Sequence, residues 1–217
     1  MGTLGTRDTL DYIARKWGLN TMAKPPIEIP DVGRDDLARL FAELGFAVGI
    51  EIGVDQGAFS EVLCRENPQA IVFGVDAWHA YKGYREHLNQ DRMDGLYEIA
   101  RKRLEPYSNY RLVRKMSMEA VSDFKDRSLD FVYIDSNHDL RYVVDDLTEW
   151  SRKVRTGGIV SGHDYRQSVN DFPLHVVQAV NAFTDAYRIR PWFLLGTKAV
   201  VVGQTRERSR SWFWVKV

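Results

Sequence analysis

The sequence predicts an α/β fold: a seven-stranded, mostly parallel sheet with helices on both faces, finished by an antiparallel pair of strands. Two observations carry this. From Ala47 onward, short β-rich runs alternate with amphipathic helical stretches, the pattern of a parallel sheet whose crossovers are helices. Near the C-terminus three apolar runs follow one another with little helical sequence between them, so they must turn back on each other by hairpin.

The elements read in order as follows. Leu10, Ile13, Ala14 and Trp17 recur at one-face helical spacing, and Leu37, Leu40, Phe41 and Leu44 do so again, with Gly45 as a stop. Between them Lys24 to Pro30 is proline-rich and reads as an extended connector without regular structure. Residues 1–46 are therefore expected as a helical cover, or a lid, on a domain spanning 47–217. The parallel strands are expected at Val48–Ile52, Ile71–Val75, Tyr110–Val113, Leu129–Ile134 and Gly158–Ser161, with helices starting near Phe59, Met93, Ser117 and Asp139. A helix with Val176, Val180, Phe183 and Tyr187 on one face leads to terminal runs at Trp192–Leu195, Ala199–Val202 and Ser211–Val215. Arg206–Arg210 reads as a solvated loop.

Composition narrows the function classes. The 217 residues suit one domain, and 30 basic against 30 acidic side chains leave no net field to recruit nucleic acid or anionic lipid. No apolar run approaches the roughly 20 residues of a membrane span, and Met1 to Trp17 lacks the layout of a secretion signal. Cys64 is the sole cysteine, which excludes an internal disulfide and a cysteine-based zinc site, and it reads as a small core residue. A cytoplasmic protein is expected.

The first parallel strand runs into Glu51-Ile52-Gly53-Val54-Asp55-Gln56-Gly57, and the second ends in Asp76. Gly53 permits a tight turn, Gly57 permits close approach of a ligand, and an acid at Asp76 can accept both hydroxyls of a ribose. The third glycine of the dinucleotide fingerprint is missing. A pyrophosphate beside Glu51 and Asp55 is disfavoured, whereas a sulfonium ligand with a free amino group is not. S-adenosylmethionine is thus favoured over a nicotinamide dinucleotide.

A second constellation lies at the ends of the fourth and fifth strands, in Asp135-Ser136-Asn137-His138 and Gly162-His163-Asp164-Tyr165. A doubly wound sheet brings both ends to the same ligand edge, so Asp135, His138, His163 and Asp164 should converge. Such groups are expensive to desolvate unless paired or employed. Two readings stay open. Either Asp135, His163 and Asp164 hold a divalent cation with His138 as general base, or no metal binds and a histidine alone activates a hydroxyl.

These motifs resemble the class I S-adenosylmethionine-dependent methyltransferases, a Rossmann-like fold, over nearly the whole stretch from Val48 to Val217. The resemblance implies that Glu51 reaches the methionine part of the cofactor, that Gly53 and Gly57 form its loop, and that Asp76 takes the ribose. It further implies that Ala77 and Trp78 flank the adenosine, that Ser117 and Met118 touch the adenine edge, and that Asp135 lies near the methyl group. Trp78 can equally be a packed core aromatic. The strand-four and strand-five motifs are similar to those of the metal-dependent catechol-type and macrocin-type O-methyltransferases. Asp135 matches their first acid, His163-Asp164 their second pair, and His138 stands where the catechol type carries a lysine base. That likeness implies Mg²⁺ or Mn²⁺ on Asp135, His163 and Asp164, although a nitrogen donor at His163 departs from the usual aspartate and turns the preference from magnesium toward manganese, iron or zinc.

The expected activity is transfer of a methyl group from S-adenosyl-L-methionine to a small-molecule hydroxyl, with His138 removing the proton and Asp135 close to both reactants. A nicotinamide oxidoreductase or a non-catalytic cofactor-binding module are the rivals. A nucleic-acid methyltransferase is disfavoured by the charge balance and by the lack of an Asn/Asp-Pro-Pro-aromatic motif. The aromatic connector Trp78, His79, Tyr81, Tyr84 and His87 is either a pocket wall or packing. Alternation along the terminal strands should leave part of Trp192, Phe193, Trp212, Phe213 and Trp214 exposed, a surface fit for a homodimer. Asp145 and Asp146 lie off the apolar stripe of their helix and should be solvated, and His175 has no clear partner.

Overall fold

A computed structural model describes residues 5–81, 89–169, 172–205 and 207–217. An eight-stranded sheet orders as β1-β9-β10-β6-β5-β2-β3-β4. Its strands are β1 (Ile27–Ile29), β2 (Val48–Ile52), β3 (Ile71–Asp76), β4 (Tyr110–Arg114), β5 (Leu129–Ile134), β6 (Val154–Gly162), β9 (Phe193–Leu195) and β10 (Trp212–Val215). A small hairpin, β7 (Ser168–Val169) with β8 (Phe172–Pro173), stands apart. Only β10 opposes its neighbours, β6 and β9. The strand order reverses between β2 and β5. That reversal opens a crevice at the carboxyl ends of the strands.

Helices α1 (Thr6–Trp17), α2 (Arg34–Glu43), α3 (Ala58–Glu66) and α4 (Gln90–Leu104) cover one face. Helices α5 (Ser117–Ala120), α6 (Leu140–Lys153) and α7 (Val176–Ala186) cover the other. Strand alternation divides the core accordingly: Phe131 and Tyr133 of β5 join the first layer, Val132 and Ile134 the second. Burial of each such side chain stabilises the fold by about 1.5–3 kcal/mol. In the first layer Phe41 of α2 stacks on Phe131 at 4.0 Å between ring centroids, which fixes α2 against the sheet. Gly45 takes a left-handed backbone, φ 68°, and ends that helical run as its position in the sequence suggests.

Four expectations need correction. The connector at 24–30 is not without regular structure, because Ile27–Ile29 forms an edge strand parallel to β9 and gives the sheet one strand more than expected. Ala199–Val202 is no strand; Val200 and Val202 are 74% and 98% exposed. Both edges of β9 are already occupied, by β1 and β10, so this run cannot form the expected hairpin with it. The terminal aromatics Trp192, Phe193, Trp212, Phe213 and Trp214 are all buried. Helix α1 packs over one side of β10, while Phe183 of α7 stacks on Trp214 on the other, so no aromatic remainder is left to form a dimer surface. Finally, Asp146 is buried, because α6 turns it inward alongside Val143, Leu147 and Trp150.

Candidate functional site

Register sets the site. Ile52 pairs with Ile134, and Ile134 with Gly162, so Gly53, Asp135 and His163 follow at the same level beyond three adjacent strands. The Asp135 amide donates to Ile52 O at 2.8 Å and the His163 amide to Ile134 O at 3.0 Å, continuing the ladder past the strand ends. Gly53, at φ 91°, is forced to be glycine: a Cβ there would lie 2.1 Å from the Asp135 carbonyl oxygen.

The four titratable groups do converge. His138 Nε2 lies 2.9 Å from Asp164 Oδ2 and 3.6 Å from Asp135 Oδ1. His163 Nδ1 is 3.4 Å from Asp135 Oδ2, and its Nε2 is 3.8 Å from Glu207 Oε2. Asp164 adopts a left-handed backbone, φ 53°, which an aspartate tolerates. Burial alone would raise the Asp135 carboxyl, but the His163 and His138 imidazoles outweigh it and hold the group well below the usual carboxylate range. Asp164 is likewise lowered: burial opposes ionisation, and its bond to His138 prevails. Burial would lower His163, yet Asp135 raises it overall. Asp135, His138 and Asp164 place one donor atom each within 4.8 Å of one another, a grouping that could hold a metal ion. The expected metal trio had His163 in the place of His138, which here stands between both carboxylates.

Beside this cluster a cleft of about 250 Å³ is lined by Gly53, Asp76, Ala77, His79, Tyr81, Lys115, Ser117, Met118, Ser136 and Asp146, among others. Asp76 forms its anchor at the end of β3. Its Oδ2 accepts from the Val54 and Asp55 amides, both at 3.0 Å, and its Oδ1 from the Trp78 amide at 2.9 Å. Burial pushes the Asp76 carboxyl up, and these three N–H groups pull it back. Asp146 ties the two walls together, accepting from Ser117 of α5 and from Ser136 beyond β5. Burial lifts its carboxyl to about 6.

Three expected cofactor residues stand behind the cleft. Glu51 is 2% exposed, accepts from Ser60 of α3, and is pushed by burial up to about 8. Gly57, φ 76°, lies against Leu104 of α4, where a Cβ would meet Leu104 Cδ1 at 2.7 Å. Trp78 is fully buried, donates its ring N–H to Asp55 O at 2.9 Å and packs edge-on to Tyr97. It is a core aromatic. In the connector that follows, Tyr81 accepts from Asn137 Nδ2 at 3.0 Å and His79 lines the cleft, while Tyr84 and His87 lie outside the described residues.

Two residues enter that the sequence did not single out, Glu207 and Arg34. Glu207, from the loop before β10, reaches the cluster and accepts from the Arg34 amide at the start of α2 at 2.8 Å. The Arg34 guanidinium follows, its Nε 3.8 Å from Glu207 Oε1 and its Cζ 5.1 Å from the Phe59 ring centroid. His175 does have partners: its Nδ1 accepts from the Leu140 amide at 3.1 Å and its own amide donates to His138 O at 3.0 Å, bracing the loop that carries His138.

The family model described as a methyltransferase domain matches residues 50–165, which takes in both strand-end constellations. The chain belongs to that family. Compared with curated proteins by sequence, this methyltransferase finds no significant match. Among solved structures it is similar to an O-methyltransferase from Bacillus cereus in complex with SAH, at 15% identity and TM-score 0.57, covering 97% of this chain and 90% of that one. It is also similar to the O-methyltransferase TomG from Streptomyces achromogenes, involved in tomaymycin synthesis and solved with SAM, at 16% identity and TM-score 0.58, with coverage of 97% and 90%. The N-methyltransferase NodS from Bradyrhizobium japonicum matches at 11% identity and TM-score 0.53, with coverage of 84% and 94%. Likeness at these identities establishes the fold of a class I, S-adenosylmethionine-dependent methyltransferase, and does not establish the acceptor atom. No helix among the described residues is long and apolar enough to cross a membrane.

Proposed function

We propose that this methyltransferase moves the methyl group of S-adenosylmethionine to a hydroxyl oxygen of a small-molecule acceptor. The observation that carries the reading is adjacency in the chain: the cleft anchored by Asp76 is lined as far as Ser136 and Asn137, the two residues between Asp135 and His138, and His138 pairs with Asp164 at 2.9 Å. At about 250 Å³ the cleft is small beside whole-ligand pockets of about 300–1,000 Å³. It suits the nucleoside end of the cofactor. Asp76 Oδ1, engaged by one amide, keeps a lone pair for a ribose hydroxyl. Ala77 and Met118 offer apolar surface to the base, Ser117 a polar edge, and Gly53 a floor without side chain. Glu51, Gly57 and Trp78 act from behind, by shaping the loop.

Methyl transfer by in-line displacement depends chiefly on alignment of the acceptor oxygen with the methyl group. His138, whose Nε2–H is held by Asp164, takes the acceptor proton on Nδ1, and the two carboxylates beside Nε2 stabilise the imidazolium that results. Proton removal of this kind contributes about 10²–10⁴-fold. A second reading rests on the same cluster. Asp135, His138 and Asp164 offer two oxygens and a nitrogen, a set suited to Mn²⁺ or Zn²⁺ more than to Mg²⁺. A cation there would supply Lewis acidity that lowers the pKa of a bound hydroxyl.

Calorimetric titration with S-adenosylhomocysteine, together with a methylation assay on hydroxylated acceptors, tests both. Asp76→Asn is expected to weaken binding at least about tenfold, the loss of one charged hydrogen bond. His138→Ala should leave binding intact and lower the rate by about 10²–10⁴-fold. Absence of binding to the unaltered protein would sink the cofactor reading. A rate abolished by EDTA and restored by Mn²⁺ would select the metal-assisted form.

A further inference from the structure

We propose that Arg34 anchors the α-carboxylate at the methionyl end of the cofactor, so that α2 supplies part of the cofactor site. The inference rests on the cofactor reading above and extends it to a residue outside the matched family segment.

The cleft runs from Asp76, Ala77 and Met118 at the ends of β3 and β4 to Gly53 and Ser136 at the crevice between β2 and β5. A ribose held at Asp76 must send its 5′ substituent across Gly53, the position where a side chain is sterically forbidden. Arg34 does not line the cleft itself; it sits beside the first turn of α3, the helix that the Gly53–Gly57 turn leads into, and against Glu207, which faces His163 at 3.8 Å. The Arg34 guanidinium lies over the Phe59 ring in the first turn of α3 at 5.1 Å and is one-third exposed, at 33%. Burial works against its charge, but the acids around it, Asp135 at the end of β5 and Glu207 among them, outweigh this.

The decisive feature is what the guanidinium lacks. Its contact with Glu207 is 3.8 Å, too long for a hydrogen bond. The close bond to Glu207, at 2.8 Å, comes from the Arg34 backbone amide instead. A planar fork of five donors thus stands beside the site, held at its base and without a hydrogen-bonded acid among the described residues. Carboxylate is the group whose geometry matches that fork, and it is the anion carried by the amino-acid end of S-adenosylmethionine.

The test compares two ligands on three proteins by calorimetry: S-adenosylhomocysteine, and 5′-methylthioadenosine, which keeps the nucleoside and thioether but has no carboxylate. Arg34→Gln is expected to lower affinity for S-adenosylhomocysteine roughly 10- to 100-fold while changing that for 5′-methylthioadenosine less than about twofold. Arg34→Lys, which keeps the charge and loses the fork, should fall between for the first ligand and match the unaltered protein for the second. Equal weakening of both ligands, or of neither, would overturn the role of Arg34 and leave the cofactor reading standing. Failure of the unaltered protein to bind S-adenosylhomocysteine would overturn that reading itself.

Discussion

Glu51 is the acid that the resemblance places toward the methionine part of the cofactor; it is turned inward onto Ser60, and its protonation links the turn to stability. In the fold its carboxyl titrates at about 8 against an ordinary 4.5, because burial disfavours the charged form. Between those values the native state keeps a proton that the unfolded chain has released. Stability must therefore fall as pH rises through that window, and Asp146 adds the same sign between 3.8 and about 6. Glu51→Gln should flatten the decline in melting temperature between pH 4.5 and 8. An unchanged slope would show that Glu51 ionises freely in the fold. Residues at this scale were unevenly legible. Asp135, His138, His163 and Asp164 could be brought together from sequence because strand ends in a parallel sheet share an edge. Asp146 also left a signal, three residues after Val143 and four before Trp150, that its charge obscured. Glu207 left none: it lies in a charged run, and only the return of the chain to β10 carries it to His163.

Among the elements, the β2–α3 turn is the most constrained. Gly53→Ala would drive a Cβ to 2.1 Å from the Asp135 carbonyl oxygen, a backbone atom that cannot swing aside. Adding the left-handed strain, the substitution is expected to destabilise the protein by about 1–3 kcal/mol and to abolish S-adenosylhomocysteine binding. Thermal melting and calorimetry on the purified variant check both. Binding at full strength would mean that the β2 and β5 ends are not in contact. Periodicity recovered the bounds of β2 and β5 to the residue, since both are central strands whose apolar runs end sharply at Gly53 and Asp135. It failed at the edge. Ile27–Ile29 and Ala199–Val202 differ little in composition, and pairing, a non-local property, decides that the first is a strand and the second is not.

At the scale of the molecule, the N-terminal segment is woven into the rest. Thr6 and Thr9 of α1 donate their hydroxyls to Lys216 O and Gly157 O, each at 2.8 Å, while Ile27–Ile29 lengthens the sheet. A fragment of residues 47–217 would uncover Phe131 where Phe41 now stacks, and would leave β9 with an open edge. It is expected to melt without a cooperative transition where the whole chain shows one, as circular dichroism during heating would reveal. A sharp transition in the fragment would instead make residues 1–46 a dispensable cover. The position of β10 between β6 and β9 has a temporal corollary. During synthesis, β1 and β9 have no strand to pair them to the central strands until residues 212–215 leave the ribosome and fill the gap. The earliest-made strand of the sheet must therefore wait for the last, and so must Glu207 and the imidazole it faces: a nascent chain stalled shortly before β10 carries every motif of the cofactor loop and cannot yet hold the site together.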